Sequence, residues 1–413
     1  MSKVQFLMST AIIIAATCLN SIFMNLDAQI LRVAFVGDPQ VDNERELDFA
    51  RKSVYRDLAN NTNLDFAIIM GDLVNDKPGL LRQSKAILDS LPFPCFVVPG
   101  NHDFDDYCGH SKPRDLKTFN EVIGPSDTAF VVGKYRFVLM NNVRITDIRK
   151  YEGGFSESQK FWLDSLVRES SKDGCKIVLC THIPLSHSKG LDSLSAILSP
   201  KADYILVSGH THSVRRHNFI TSDGRQIPEL IVGAACGSWW RGVKGPDGVP
   251  YSLQNCGAPR GYFIAEMGRR GIKLSYTTID KLSYGPGKEA VSVHNYGDSL
   301  LVLNVFGGSE DGIAKVRSKF TKSVLMQRSE ITAPEVEKEI LRNASASREE
   351  RRKNKNDFIP LRRKKSTHIW TVNCHFAADS SSLCRSNKNL CRIKVVYSDP
   401  MMKFRENVIV QQF

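Results

Sequence analysis

The sequence predicts an α/β fold, a layered β-sandwich core flanked by helices, with a smaller all-β domain after it. Three observations carry that reading. Short apolar runs alternate with longer amphipathic ones over the first two hundred residues, the mark of strands and helices packed in layers. Five of the apolar runs end in a cluster drawn from Gly, Asp, Asn, Gln, Thr and His. Beyond about residue 290 only short strand-like runs remain, with turn residues between them.

Taken in order, residues 30–36 read as a strand. Residues 43–58 read as a helix, with Leu47, Phe49, Ala50, Val54 and Leu58 spaced for one face. A strand at 64–70, a helix at 80–91 and a strand at 95–98 follow. Next come two strands within 130–140, a helix at 157–167, and buried strands at 176–180 and 204–207. The runs at 216–221, 229–232, 261–267 and 272–277 read as hairpins and are expected to build a second, more antiparallel sheet. Tyr284-Gly285-Pro286-Gly287-Lys288 reads as a linker. The strand patterns at 300–305, 314–318, 368–372, 391–396 and 408–410 suit a small sandwich. The expected organisation is a signal peptide at 1–28, a catalytic domain at 29–285, and a β-sandwich-like domain at 290–413 with a basic loop at about 342–365.

Composition bounds the function. A chain of 413 residues, 42% hydrophobic, can bury one large core or two ordinary ones. With 24% charged residues, Gly 28 and Pro 17, it is neither disordered throughout, nor collagen-like, nor a small disulfide scaffold. No apolar run of 18 residues follows residue 30, so no internal helical span is expected. The net charge of +12 is uneven: from Arg342 to Lys365 ten Lys or Arg stand against three acids. That stretch reads as a mobile, solvated loop. No aromatic residue interrupts it between Arg342 and Asp357, so nucleic acid is not expected as a dedicated partner.

The N-terminus reads as an export signal. Lys3 gives the positive start, residues 6–19 are mostly apolar, and Leu26-Asp27-Ala28 before Gln29 forms a cleavage site. The protein is therefore expected in the periplasm or outside the cell. Lipid attachment at Cys18, after Ala15-Ala16-Thr17, is the alternative. Of the ten cysteines, Cys95 and Cys180 lie in apolar strands and read as inert core residues. Cys374, Cys384 and Cys391 lie close together and allow one disulfide, with its pairing open.

The five strand-end clusters carry the chemistry. They are Gly37-Asp38-Pro39-Gln40, Gly71-Asp72, Gly100-Asn101-His102-Asp103, Thr181-His182 and Gly209-His210-Thr211-His212. In layered α/β folds the carboxyl ends of strands share one edge of the sheet, so these distant segments meet around one spot. Their oxygens and imidazoles exceed what a single four-coordinate ion needs and include no thiolate. That set suits two divalent ions such as Mn, Fe or Zn. Asp72, on the middle strand, is the expected bridge between them. Such a pair holds a water and lowers its pKa toward neutrality. Each cluster alone would read as an ordinary turn; five in one structural context would not.

These blocks resemble the calcineurin-like metallophosphoesterases, the likeness covering roughly residues 30–285. Gly237-Ser238-Trp239-Trp240, the segment from Gly257 to Tyr262, and His368-Ile369-Trp370 resemble a bacterial exported subgroup with a C-terminal β domain. The resemblance implies that Asp38, Asp72 and His212 hold a first metal and that Asp72, Asn101, His182 and His210 hold a second. It implies that His102 assists the leaving oxygen, with Asp103 orienting its imidazole. The family's first block usually places His where this chain has Gln40, a weaker, neutral ligand. The implied activity is hydrolysis of a phosphate mono- or diester of a small molecule or envelope component by a metal-bridged hydroxide. A non-catalytic binding module on a degenerate frame is the alternative, motivated by Gln40. Trp239 and Trp240 are expected to form an aromatic wall beside the metals for substrate. Arg241 and Lys244 read equally as groups that meet phosphate charge and as solvated surface charges.

Overall fold

The computed structural model describes residues 30–105, 114–147, 150–198, 202–279, 290–296, 300–318, 322–373 and 390–411. The segment expected as an export signal, the expected linker at 284–288 and the side chains of Cys18, Cys374, Cys384 and Cys391 lie outside the described residues.

The first strands are β1 (Leu31–Val36), β2 (Phe66–Ile69), β3 (Cys95–Val97), β4 (Thr128–Val132) and β5 (Tyr135–Leu139). A small hairpin follows, β6 (Val143–Asp147) with β7 (Lys150–Gly153). Then come β8 (Lys176–Cys180), β9 (Tyr204–Ser208), β10 (Val214–Ile220), β11 (Gln226–Val232), β12 (Gly261–Gly268) and β13 (Gly271–Thr278). One sheet runs β13-β12-β1-β2-β3 and the other β10-β11-β9-β8-β5-β4. Their centres are parallel, β1-β2-β3 in one and β5-β8-β9-β11 in the other.

Alternation along β1 shows how the layers are made. Val33 and Phe35 enter a core shared with Phe137, Val178 and Ile205 of the other sheet. Ala34 and Val36 face the other way, into a core with helical Leu47, Ala50, Val54 and Leu58. On the far side, Ile177 and Leu179 pack with Leu163, Leu166 and Val167. The order is helix, sheet, sheet, helix.

The segment at 43–58 is helical as read, but it is not uniform. Asn43 caps the start through its side chain, and two α-helical parts (Glu44–Ala50 and Arg56–Asn60), together α1, are joined by a π-helical stretch, Arg51–Tyr55. Next are α2 (Leu81–Asp89) and α3 (Lys117–Val122). Helix α4 (Glu157–Asp173) runs beyond the expected 167 because its last turns are polar. It starts at a capping box of Ser156 and Gln159 and stops at Gly174, whose φ is +66°. A short α5 (Leu191–Ile197) precedes β9.

Two expectations are corrected. The β10–β11 and β12–β13 hairpins build no sheet of their own. β11 pairs parallel to β9 and β12 antiparallel to β1, so each hairpin widens one face of the sandwich. The reason is that both carry apolar faces into the inter-sheet core, Leu230 and Val232 from one, Phe263 and Ala265 from the other.

The basic stretch at 342–365 is not a loop throughout. It includes the end of α6 (Pro334–Ser345) and all of α7 (Arg348–Lys353). Ser347 and Glu350 form a capping box, and Arg351, Arg352 and Lys353 fall in the last turn of α7, where the helix dipole favours cations.

The remaining strands are β14 (Val291–Tyr296), β15 (Leu300–Val305), β16 (Ile313–Ser318), β17 (Val324–Leu325), β18 (Gln327–Arg328), β19 (Ile369–Asn373), β20 (Leu390–Ser398) and β21 (Lys403–Gln411). They form two sheets, β14-β15-β19-β18 and β17-β16-β20-β21. Leu301, Leu303, Val305, Trp370 and Tyr397 belong to the same continuous core as Phe263, Leu274 and Tyr276. Buried Arg216 of β10 donates to Asp399 at 2.7 and 2.9 Å, tying the two parts together. Among the described residues no helix is long and apolar enough to cross a membrane.

Candidate metal centre

The five clusters lie where the parallel strands end. Asp38 and Gln40 follow β1, Asp72 follows β2, Asn101 to Asp103 follow β3, His182 follows β8, and His210 and His212 follow β9. Asp38, Gln40, Asp72, His210 and His212 all have φ between +41° and +72°. Left-handed backbone costs a residue with a Cβ of order 1–3 kcal/mol and persists where the surroundings enforce it. Two glycines show how tight those surroundings are. A Cβ on Gly100 would lie 2.2 Å from Asp72 Oδ1, and one on Gly71 would lie 2.3 Å from His182 Nδ1.

The donors converge. His182 Nδ1 lies 2.8 Å from the Met70 carbonyl and so carries a proton toward it. Its Nε2 lies 3.0 Å from Asn101 Oδ1, 3.2 Å from His210 Nδ1 and 3.3 Å from Asp72 Oδ2. Ligand atoms of Asp72, His182 and His210 all fall within 4.8 Å of one another. His212 Nδ1 donates to the Gly237 carbonyl at 2.7 Å, which aims its Nε2 toward Asp38 Oδ1, 4.0 Å away. Asp38 is held by the His210 N–H, 3.0 Å from each carboxylate oxygen, and Asp72 by the His102 N–H at 2.9 Å.

This donor set fits divalent cations. With Nδ1 of His182 and His212 each committed to a carbonyl, the rings turn Nε2 inward, toward carboxylate and amide oxygens that are acceptors, and in the ligating form that nitrogen is an acceptor too. Acceptors facing acceptors in a buried pocket need a positive charge among them. The electrostatics say the same. Burial opposes charge on Asp72, yet His182 and His102 outweigh it and hold Asp72 well below the usual carboxylate range. Burial opposes charge on His182 too, but Asp72 lifts it to about 9, so the acceptors draw a proton onto this ring, the positive charge that a bound cation would replace. Burial raises Asp38, and it pushes His210 down to about 3, leaving that ring neutral and ready to ligate.

Three of the expected site residues sit elsewhere. Asp103 does not orient His102. Its Oδ2 accepts from the Gly100 N–H at 2.8 Å and its Oδ1 from the Val74 N–H at 3.0 Å, so it braces the loop, while burial and the Asp72 charge push it up to about 7. Gln40 turns its amide away from the donors. Nε2 donates to Asn75 Oδ1 at 3.2 Å and Oε1 faces the Cys236 thiol at 3.9 Å. Its backbone N–H instead clamps the Asp72 carbonyl at 2.8 Å. Trp240 is a core residue, 2% exposed, with its indole N–H on the Pro39 carbonyl at 2.9 Å and its ring under the Arg260 guanidinium. Trp239 differs: it is 40% exposed, with its ring centroid 4.8 Å from that of His212.

Sequence reasoning missed Asp76, Arg114 and Tyr151. Asp76 Oδ2 lies 3.0 Å from His102 Nδ1, and Arg114 holds the other Asp76 oxygen at 2.7 Å. Burial disfavours the charged form of His102, but Asp76 and Asp72 outweigh it and raise its pKa. An acid four residues past Asp72 on the same loop was the available signal. Tyr151, on β7, meets the His210 ring edge-on at 5.8 Å, and nothing in its local sequence marks it.

Asp76→Asn is therefore expected to lower the pKa of His102, read as an imidazole titration by NMR that moves to lower pH, with metal content unchanged. A shifted metal content with an unmoved titration would place Asp76 in the ion shell instead.

Comparison with known proteins follows the same lines. The family described as Calcineurin-like phosphoesterase matches residues 31–214, and that described as C terminal of Calcineurin-like phosphoesterase matches residues 229–382. A manganese-dependent ADP-ribose/CDP-alcohol diphosphatase of Arabidopsis thaliana is 24% identical over 231 residues, covering 42% of this chain and 72% of the relative. Among solved structures, a dimetal phosphatase from Danio rerio aligns over 60% of this chain and 95% of its own, with 13% identity and a TM-score of 0.41. Vacuolar protein sorting 29 from Cryptosporidium parvum aligns over 60% of this chain and 97% of its own, with 14% identity and a TM-score of 0.25.

Proposed function

Because the chain belongs to the calcineurin-like phosphoesterases, through that family's catalytic domain and its C-terminal domain, we propose that it hydrolyses a small phosphoester at the donor cluster after β1, β2, β3, β8 and β9. The observation that carries this is the convergence of Asp38, Asp72, Asn101, His182, His210 and His212 from five separate strand ends. Asp38, Asp72 and His212 would hold one divalent ion, and Asp72, Asn101, His182 and His210 the other. Two such ions supply charge neutralisation for the phosphoryl oxygens and a water of lowered pKa.

The chain's own residues do the rest. His102, held by Asp76, delivers a proton to the leaving oxygen. Arg114 fixes Asp76 in turn. The Met70 and Gly237 carbonyls set the tautomers of His182 and His212. Trp239 and Tyr151, beside His212 and His210, offer two partly exposed aromatic faces to a planar part of the substrate. The diphosphates named for the Arabidopsis relative make ADP-ribose the first natural compound to test. Residues 1–28 act as an export signal in this reading, with 29–285 the catalytic unit and 290–413 its companion.

Parallel assays of aryl monoester, aryl diester and ADP-ribose with Mn, Fe and Zn test the proposal. Hydrolysis that a chelator removes and added Mn restores is the expected result. A metal-loaded protein inert toward all three substrates would favour the binding-module alternative.

A further inference from the structure

We propose that the lip of the metal centre, with α7 beside it, is a docking surface for an anionic lipid bilayer. The lip is the loop that carries Trp239 past His212. It continues through Arg241, Gly242, Val243 and Lys244. Trp239 is 40% exposed and Val243 51%, and Lys244 is exposed beside them. Among the described residues neither Arg241 nor Lys244 forms an ion pair. An aromatic ring and an aliphatic side chain set between cations is the pattern of a segment that seats at the headgroup level.

The basic helices extend this lip. The Gly242 N–H donates to the Asn356 carbonyl at 2.8 Å, so the segment after α7 is bonded directly to the loop. Val243, Lys338 and Ile359 line one cavity of about 400 Å³ between the loop and α6. Leu341, 62% exposed, lies three residues beyond Lys338 on the same helix face. Arg351, Arg352, Lys353 and Lys355 follow, all exposed. Of the two acids on α7, Glu350 is bound to the Ser347 N–H at 2.8 Å, and among the described residues those four cations form no ion pair with a carboxylate. An anionic leaflet attracts such a cluster by roughly fivefold in partitioning per cation. Single-stranded nucleic acid would call for successive aromatic rings among the cations; from Arg342 to Asp357 there is none, and the loop offers the one exposed ring of Trp239.

The test is co-sedimentation of the full chain with phosphatidylcholine vesicles, with and without about 30 mol% phosphatidylglycerol, at low and high salt. The wild-type protein is expected to follow the anionic vesicles and release in salt. R351Q/R352Q/K353Q is expected to weaken that partitioning by about a hundredfold, and Val243→Asp to weaken it independently through the loop. Both variants should turn over a soluble aryl phosphate ester at the wild-type rate. Equal binding to both vesicle types, unchanged binding by both variants, or tighter binding to an oligonucleotide than to vesicles would overturn the inference. Vesicle binding without ester hydrolysis would strike the catalytic proposal and leave the docking surface standing.

Discussion

Asp72→Asn is expected to abolish hydrolysis and to remove metal from both positions, whereas His212→Ala should leave about one ion bound. Asp72 follows β2, the middle parallel strand of its sheet between β1 and β3, and both of its neighbours at the site depend on it. Its Oδ2 faces His182 and its Oδ1 accepts from the His102 N–H. Loss of the charge removes the partner that holds His182 in place and the shared ligand proposed for two ions. Several kcal/mol of transition-state stabilisation go with it, which corresponds to a rate loss of about 10³-fold or more. Metal analysis of the purified variants checks the claim. Full metal occupancy in the Asp72→Asn protein would show that the carboxylate bridges nothing.

The second large effect concerns the C-terminal part. A chain ending at residue 289 is expected to be insoluble rather than a small active enzyme. Asp399 is buried against Arg216, whose side chain is only 7% exposed. Stripping a buried ion of its partner costs about 3–5 kcal/mol. Phe263, Leu274 and Tyr276 would lose the cover they share with Val305, Phe306 and Trp370, at about 1.5–3 kcal/mol per side chain returned to water. The total rivals the whole stability of a typical domain, about 5–15 kcal/mol. In the intact chain, Asp399→Ala should lower the melting temperature without shifting the metal content. A soluble, folded truncation with wild-type turnover would show that the C-terminal sheets only rest on the surface.

Much of this was legible because the relevant signals are local. A strand followed by Gly-Asp or Gly-Asn-His announces itself in five residues, and the parallel order of β1-β2-β3 then carries those ends to one edge. What escaped reading depends on contacts distant in sequence. Asp103 adjoins His102 in sequence and was the expected partner, while Asp76 was not considered; only the loop path shows that Asp103 is consumed by the N–H groups of Gly100 and Val74. Adjacent Trp239 and Trp240 differ in fate because Arg260 and Phe49, far along the chain, cover one ring and not the other. The helices at 334–353 were hidden for a different reason. Their outer faces are charged, while the apolar contribution to the core rests on few residues, Val336 chief among them, with Ile359 and Leu361 just beyond.

The position of β1 has a consequence for how the molecule is made. The first strand of the described residues, β1, lies between β2 and β12, and its antiparallel partner begins only at Gly261. No nascent chain on the ribosome can close that sheet until more than two hundred further residues have emerged. Pairings of such long sequence separation form slowly, so the growing polypeptide passes an extended interval with its central strand half-satisfied and its apolar face bare. Chaperone occupancy during synthesis is the natural counterpart of that delay.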